Sequence, residues 1–218
     1  MKTILFFISF FLSVNIFAQK IITEGTLTYN ISIETTKGEK QLSSALNGAV
    51  LTLFVTPTKS RTEMKNTLGE ETTVFDKKTG KGFVLKEYSG QKLMITTSAE
   101  NWSQKNLVNS SLIFSIDNNT TTIAGYACKK ATATSADGKN YIVYIDANTV
   151  ITNKSYNNAF PQLQGMPVQY EVQSGNLVFK YTLNNVNGDI IVTNKFDVPK
   201  TGFRVMTYEE NQQLKKGE

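Results

Sequence analysis

The stretch 26-TLTYNISI-33 alternates without a break, with Leu27, Tyr29, Ile31 and Ile33 on one side and Thr26, Thr28, Asn30 and Ser32 on the other. A two-residue period fits a half-buried strand and does not fit a helix. The same period runs through 176-NLVFKYTL-183, where Leu177, Phe179, Tyr181 and Leu183 share a side, and through 168-VQYEV-172. Other runs are apolar on both sides: 50-VLTLFV-55, 82-GFVLKEY-88, 92-KLMIT-96, 112-LIFSI-116 and 141-YIVYI-145. Strands of that kind meet protein or a ligand on each face. Turn signals separate the runs: Lys78-Thr79-Gly80, Ser89-Gly90, Asp137-Gly138, Ser174-Gly175-Asn176 and Asn187-Gly188-Asp189. Strands joined so tightly are antiparallel neighbours, which makes the chain a long meander. A sheet with this many strands curls to hide its edges. The expected fold is mainly β, an antiparallel meander curled into a half-barrel, with a few short helices as a lid. Helical spacing is confined to 39-EKQLSSALNGAV-50, to 98-SAENWSQKNLV-108 with a Ser cap, and to 207-TYEENQQLK-215 with a Thr cap.

Ahead of this pattern lies a stretch of another kind. Lys2 precedes the apolar run 4-ILFFISFFLSVNIF-17, and Ala18 offers a small residue before Gln19. This is the form of a cleaved export signal spanning 1–18, too short for a retained transmembrane helix. No cysteine stands at the cleavage site to accept a lipid. The expectation is a mature β-rich domain over 19–218, periplasmic or secreted, with no transmembrane segment after cleavage. The whole chain carries 23 Lys plus Arg against 18 acids; without Lys2 the balance is 22 against 18, or +4. The lysines come in scattered pairs, Lys77-Lys78, Lys129-Lys130 and Lys215-Lys216. A solvated face explains them, and attraction to an anionic lipid surface is the sharper alternative. No nucleic-acid motif is present.

The absence of histidine removes triads, histidine bases and histidine metal sites. One cysteine makes neither an internal disulfide nor a thiolate zinc site, so no cofactor or metal is expected. Paired carboxylates are the remaining catalytic chemistry, and a cluster of Glu63, Glu87 and Glu171 in one cleft would signal it. Cys128, in 126-YACKKATAT-134, reads as a small buried residue, because no resolving cysteine or base accompanies it. By alternation it shares a side with Tyr126, Lys130 and Thr132, leaving Ala127, Lys129, Ala131 and Ala133 on the other. Arg61 and Glu63 share a strand side. They make either a rim ion pair of small worth or a polar group orienting a ligand at the rim of an apolar cavity.

The segments 122-TIAGYACKKATATSADGKNYIVYID-146, 163-LQGMPVQYEV-172 and 196-FDVPKTGFRVMT-207 resemble a family of exported Bacteroidetes-type proteins defined as a domain of unknown function. The shared pattern is GYxCKKA, then G-x-P-x-x-Y-E, then F-x-x-P. A related group named for its GLPGLI motif looks like a cousin, with Gln164-Gly165-Met166-Pro167-Val168 at the corresponding place. More distantly, Pro57, Arg61 and Glu63, and then Phe196, Pro199 and Gly202, are similar to the motifs of the LolA-like periplasmic lipoprotein carrier fold. Thr56 stands where the carrier has an arginine. That resemblance implies a half-barrel with a helical lid over an apolar cavity that receives acyl chains.

Together these readings lead to an exported, non-enzymatic binding module for an apolar ligand, a lipid or acyl chain. The cavity candidates, chosen by strand side, are Phe54, Phe83, Leu85, Met94, Phe114 and Tyr144, with Arg61 and Glu63 at the rim. The alternative is an envelope structural or assembly protein that binds another protein, for which an exposed apolar patch or an open edge strand would speak.

Overall fold

A computed structural model describes residues 19–35, 46, 48–156 and 159–216. The expected leader, 1–18, and residues 39–45 and 47 of the expected helical stretch 39–50 lie outside the described residues. Among the described residues fourteen strands form the frame: β1 Lys20–Ile22, β2 Gly25–Thr35, β3 Val50–Val55, β4 Lys59–Asn66, β5 Gly69–Asp76, β6 Lys81–Tyr88, β7 Gln91–Thr97, β8 Ser115–Ile123, β9 Tyr126–Thr134, β10 Asn140–Asp146, β11 Thr149–Ile151, β12 Met166–Ser174, β13 Leu177–Asn187 and β14 Arg204–Thr207. Among the described residues, three complete helices accompany them: α1 Ala99–Lys105, α2 Leu107–Ser110 and α3 Tyr208–Lys216.

Twelve strands make one sheet in the order β14-β7-β6-β5-β4-β3-β2-β13-β12-β10-β9-β8. Two runs of neighbouring strands, β2 to β7 and β8 to β13 without β11, are therefore joined by the β2–β13 pair. Among the described residues β8 and β14 do not pair with each other, so the sheet is open and is not a closed barrel. Most neighbours are antiparallel, as their short connections require; β14 runs parallel to β7 because a long excursion brings it back. Two turns show the local chemistry. Ser89-Gly90 and Ala124-Gly125 each carry two successive positive φ angles, 51° and 78°, then 49° and 82°. Those angles match the two-residue hairpin turn whose twist suits its strands. Asn187-Gly188-Asp189 is not a hairpin. There the chain leaves the sheet and runs through a strap, 188–203, before entering β14.

Strict alternation fixes the two faces. β2 buries Gly25, Leu27, Tyr29, Ile31 and Ile33 in turn. Its register carries Leu27 opposite Leu53, then Thr62, Thr73, Val84, Ile95 and Met206 across to β14. This is the front face. It holds the largest core, where Tyr29, Leu53, Val143, Val168, Tyr170 and Leu183 meet Ile22, Ile151, Tyr156, Phe160 and Leu163. The last five come from the parallel β1–β11 ribbon and the 153–163 connection, which cover the sheet there. Buried Asn153 pins that connection by donating to Thr56 O at 2.9 Å and Lys59 O at 3.1 Å. Ser60 Oγ adds a bond to Ser155 O at 3.1 Å.

At the other end of the front face, α1 stacks Trp102 on Phe75, rings 4.1 Å apart and 8° from parallel. Ser98 caps α1: its Oγ accepts from Asn101 N–H, and Asn101 Oδ1 accepts from Ser98 N–H. α3 is fastened to β14 in the same reciprocal way by Thr207 and Glu210. The segment 112–116 is a strand only from Ser115 onward. The true edge strand β8 is polar, SIDNNTTTI, and eight of its nine residues are exposed. In β9 the alternation changes phase after Cys128. Cys128 and Ala131 both belong to the front core, and Ala133 is buried as well, so the sequence assignment of Cys128 and Ala131 to opposite sides is corrected. The irregular β8–β9 register between Ile116 and Thr120 sits beside this shift.

Candidate binding site

The back face carries the doubly apolar segments. One cross-strand row reads Phe54, Arg61, Val74, Phe83, Thr96, and the next reads Thr52, Glu63, Thr72, Leu85, Met94. Val74, Phe83, Leu85 and Met94 are buried here, with Phe54 half-buried against them. Burial on this face comes from the strap. Its Ile191 and Phe196 enter the cluster, and Phe203 packs at the margin. Phe196 closes a 3-10 turn, Thr193–Phe196. The second cover over Phe83-Val84-Leu85 and Met94-Ile95 is therefore protein: the strap behind, and helices in front.

Arg61 and Glu63 fasten the strap down. Arg61 Nε donates to Glu63 Oε1 at 2.6 Å, and Arg61 Nη1 donates to Lys195 O at 2.8 Å. Lys195 Nζ lies 3.9 Å from Glu63 Oε1 and 4.5 Å from the centre of the Phe54 ring. Ile191 N–H donates to Glu24 Oε1 at 2.8 Å. Glu63 is buried, so its pair with Arg61 is worth more than a solvated surface pair. Beside the cluster a cleft of about 420 Å³ opens between the strap and the β5–β6 hairpin, and Val74, Phe83, Phe196 and Val198 form its apolar part. Lys59, Asp76, Lys81 and Asp197 contribute its charged margin.

The six cavity candidates do not converge. Phe54, Phe83, Leu85 and Met94 gather on the back face. Phe114 and Tyr144 pack against the front core instead, Phe114 meeting Phe160 edge-on at 5.8 Å. The expectation of one inner face holding all six is corrected, because the sheet itself separates them. The front core is largely filled by its own side chains. A gap of about 180 Å³ remains among Tyr29, Leu51, Leu53, Thr62, Tyr156, Ala159, Pro167 and Tyr170. Tyr29 OH donates to Pro167 O at 2.7 Å, and burial pushes the Tyr29, Tyr156 and Tyr170 phenols above their ordinary pKa. Arg61 and Glu63 form a latch and line no part of the back cleft. The carboxylates Glu63, Glu87 and Glu171 share no cleft. Each is ion-paired, to Arg61, Lys92 and Lys180 respectively, and Glu171 lies four strands from Glu63. No group of three metal-ligating side chains occurs among the described residues.

Sequence reasoning missed Val74, Ile191, Lys195 and Phe196. The last was visible as the Phe of the F-x-x-P pattern, and Ile190-Ile191-Val192 stood after a turn signal with no strand pattern following. Cys128 is fully buried, its Sγ 3.5 Å from Tyr126 O, and burial raises its thiol pKa. No helix among the described residues is long and apolar enough to cross a membrane.

Neither family models nor curated proteins give a match to this sequence. Among solved structures, PNGF-II is similar over 88% of this chain and 33% of its own, with a TM-score of 0.48 and 14% identity. The Pseudomonas aeruginosa MucA/MucB complex is similar over 81% of this chain and 56% of the matched chain, with a TM-score of 0.41 and 8% identity. This chain thus spans about a third of PNGF-II and just over half of the matched chain in the complex. Similarities so distant assign neither a family nor a function.

Proposed function

We propose that the protein is an exported, non-enzymatic binding module of the cell envelope that holds an apolar ligand, a lipid or acyl chain, between the strap and the back face of a sheet curled into a half-barrel. The observation that carries this reading is the back-face cleft. Its apolar part, Val74, Phe83, Phe196 and Val198, continues into the buried Leu85 and Met94, and its volume of about 420 Å³ suits a small-molecule site. The closing element is a strap held through side chains, which is displaced more readily than a strand held by a ladder. Charged groups at the margin, Lys59 and Lys81 beside Asp76 and Asp197, orient a polar head.

Native mass spectrometry of residues 19–218, purified without detergent from a periplasm, tests the reading. The expected result is a lipid-sized adduct, removed by solvent extraction and lost in Val198→Lys, a half-exposed position that tolerates the change. A bare chain mass in the unsubstituted protein would overturn it.

A second reading, an envelope protein that binds another protein, is favoured by a different region. Leu107, Val108, Ile113 and Ile116 are exposed within ten residues, Ile113 by 88%, beside the unpaired edge of β8. Large exposed aliphatics and an open edge are features of interaction surfaces. Photo-crosslinkers at Ile113 and Thr121, compared with one at Lys200, separate this reading from the first. Crosslinks confined to the first two positions, together with a bare chain mass, would favour the protein partner.

A further inference from the structure

A second cleft, of about 410 Å³, lies on the front side, where three separate elements meet. The β5–β6 turn supplies Lys77; α1 and α2 supply Trp102, Ser103, Asn106, Leu107 and Ser110; the 153–163 connection supplies Lys154, Ser155 and Pro161. Among the described residues two lysines line it and no carboxylate does. Two acids close in sequence to the lining, Asp76 and Glu100, are engaged elsewhere. Asp76 turns to the back face, where its Oδ1 accepts the Lys78 N–H at 2.8 Å. Glu100 is engaged at the start of α1 by its own backbone N–H and the Ser98 hydroxyl. A further cation, Lys105, stands 5.9 Å over the Trp102 ring. Lys77 and Lys154 make the described lining cationic, and the match is an anion.

The remaining lining narrows the class. Three hydroxyls and an amide, from Ser103, Ser110, Ser155 and Asn106, would be poor company for an acyl chain. They suit a ligand that carries hydroxyls of its own. Ser110 Oγ gives its proton to Asn106 O at 2.8 Å and so presents acceptor capacity. Leu107 and Pro161 give an apolar wall for C–H groups beside the indole, which is stacked on Phe75 and has Lys105 over its ring. The walls are rigid: Asn106 is nine-tenths buried and bonded to Trp102 O at 2.8 Å, and Lys154 Nζ is held by Gln164 Oε1 at 3.1 Å.

We infer that this cleft is a binding site for an acidic saccharide, with Lys77 and Lys154 taking the anionic group and the serines and Asn106 taking ring hydroxyls. It is independent of the back-face ligand and uses none of its residues. The chain has one tryptophan, Trp102, so the site contains its own fluorophore.

The experiment is a titration of residues 19–218 with trigalacturonate, with maltotriose as neutral control and inorganic phosphate at matched ionic strength, read by calorimetry and by Trp102 fluorescence. Saturable binding of trigalacturonate with an indole change is expected, falling at least tenfold in a Lys77→Gln/Lys154→Gln variant and unchanged in Lys200→Gln. Four outcomes would overturn the inference: no saturable heat; equal binding of maltotriose; full binding in the double variant; or the same response to phosphate alone. Circular dichroism of the double variant separates lost binding from lost fold.

Discussion

At the scale of single residues, burial decides roles that charge and reactivity leave open. Cys128 stands beside two lysines, which favour a thiolate when the sulfur is wet. Here the sulfur is buried among apolar atoms, which disfavours charge, and Asp146 adds to that effect. The folded protein is therefore expected to leave a thiol reagent unreacted at pH 8 over the time in which the urea-unfolded chain is fully labelled. Fast labelling of the folded form would show a mobile β9. Arg61 offers a contrast of magnitude. Arg61→Ala leaves the buried Glu63 without its 2.6 Å donor and Lys195 O without a partner, and should cost about 2 kcal/mol in urea denaturation. Lys180, in a solvated pair with Glu171 at 3.7 Å, should cost about 0.5 kcal/mol or less on the same substitution. Equal costs for the two would mean that the latch holds nothing down.

At the scale of elements, α1 shows how a short helix survives. Seven residues are too few for an isolated helix in water. Its stability comes from the Ser98–Asn101 cap, from the Trp102–Phe75 stack, and from Asn101 Nδ2 donating to Glu209 Oε1 at 2.6 Å. Ser98→Ala should destabilise the protein by about 1 kcal/mol. A shift in Trp102 fluorescence at denaturant levels below the main transition would report α1 loosening first, whereas an unchanged spectrum and midpoint would show the cap to be idle. This helix and β2 were both legible in the sequence, because a cap and a two-residue period are local signals. The strap was not. Asn187-Gly188-Asp189 has the chemistry of a hairpin turn, yet nothing local tells the chain that β14 must pair with β7 a hundred residues away. The back-face cluster was half legible for the same reason. Phe83, Leu85 and Met94 sit on adjacent hairpin strands, while Ile191 and Phe196 arrive from a distant segment. Phe114 and Tyr144 were misplaced because alternation was extended across irregular backbone. β8 begins only at Ser115, and the β10–β12 register shifts between Tyr144 and Ile145.

At the scale of the whole molecule, the sheet is two runs of strands fused at β2–β13, and its largest core lies over that seam. Tyrosines are concentrated there: Tyr29, Tyr156 and Tyr170 are buried, and Tyr181 stacks on Tyr170 with rings 4.6 Å apart. Burial raises all four phenol pKa values, that of Tyr181 to about 12. A phenol ionises near pH 10 in the unfolded chain. The fold thus keeps protons that the unfolded chain gives up, so its stability is complete below pH 10 and falls as pH rises toward and through 12. Lacking histidine, the chain has no side chain with an ordinary pKa near 6.5, so little change is expected between pH 6 and 8. An alkaline titration followed by tyrosinate absorbance and circular dichroism should show the fold intact up to about pH 10. The buried four should then ionise together with loss of the sheet signal. If every tyrosine ionised near pH 10 while the sheet signal persisted, water would reach the seam, and the gap among Tyr29, Tyr156 and Tyr170 would be an open chamber and not a filled core.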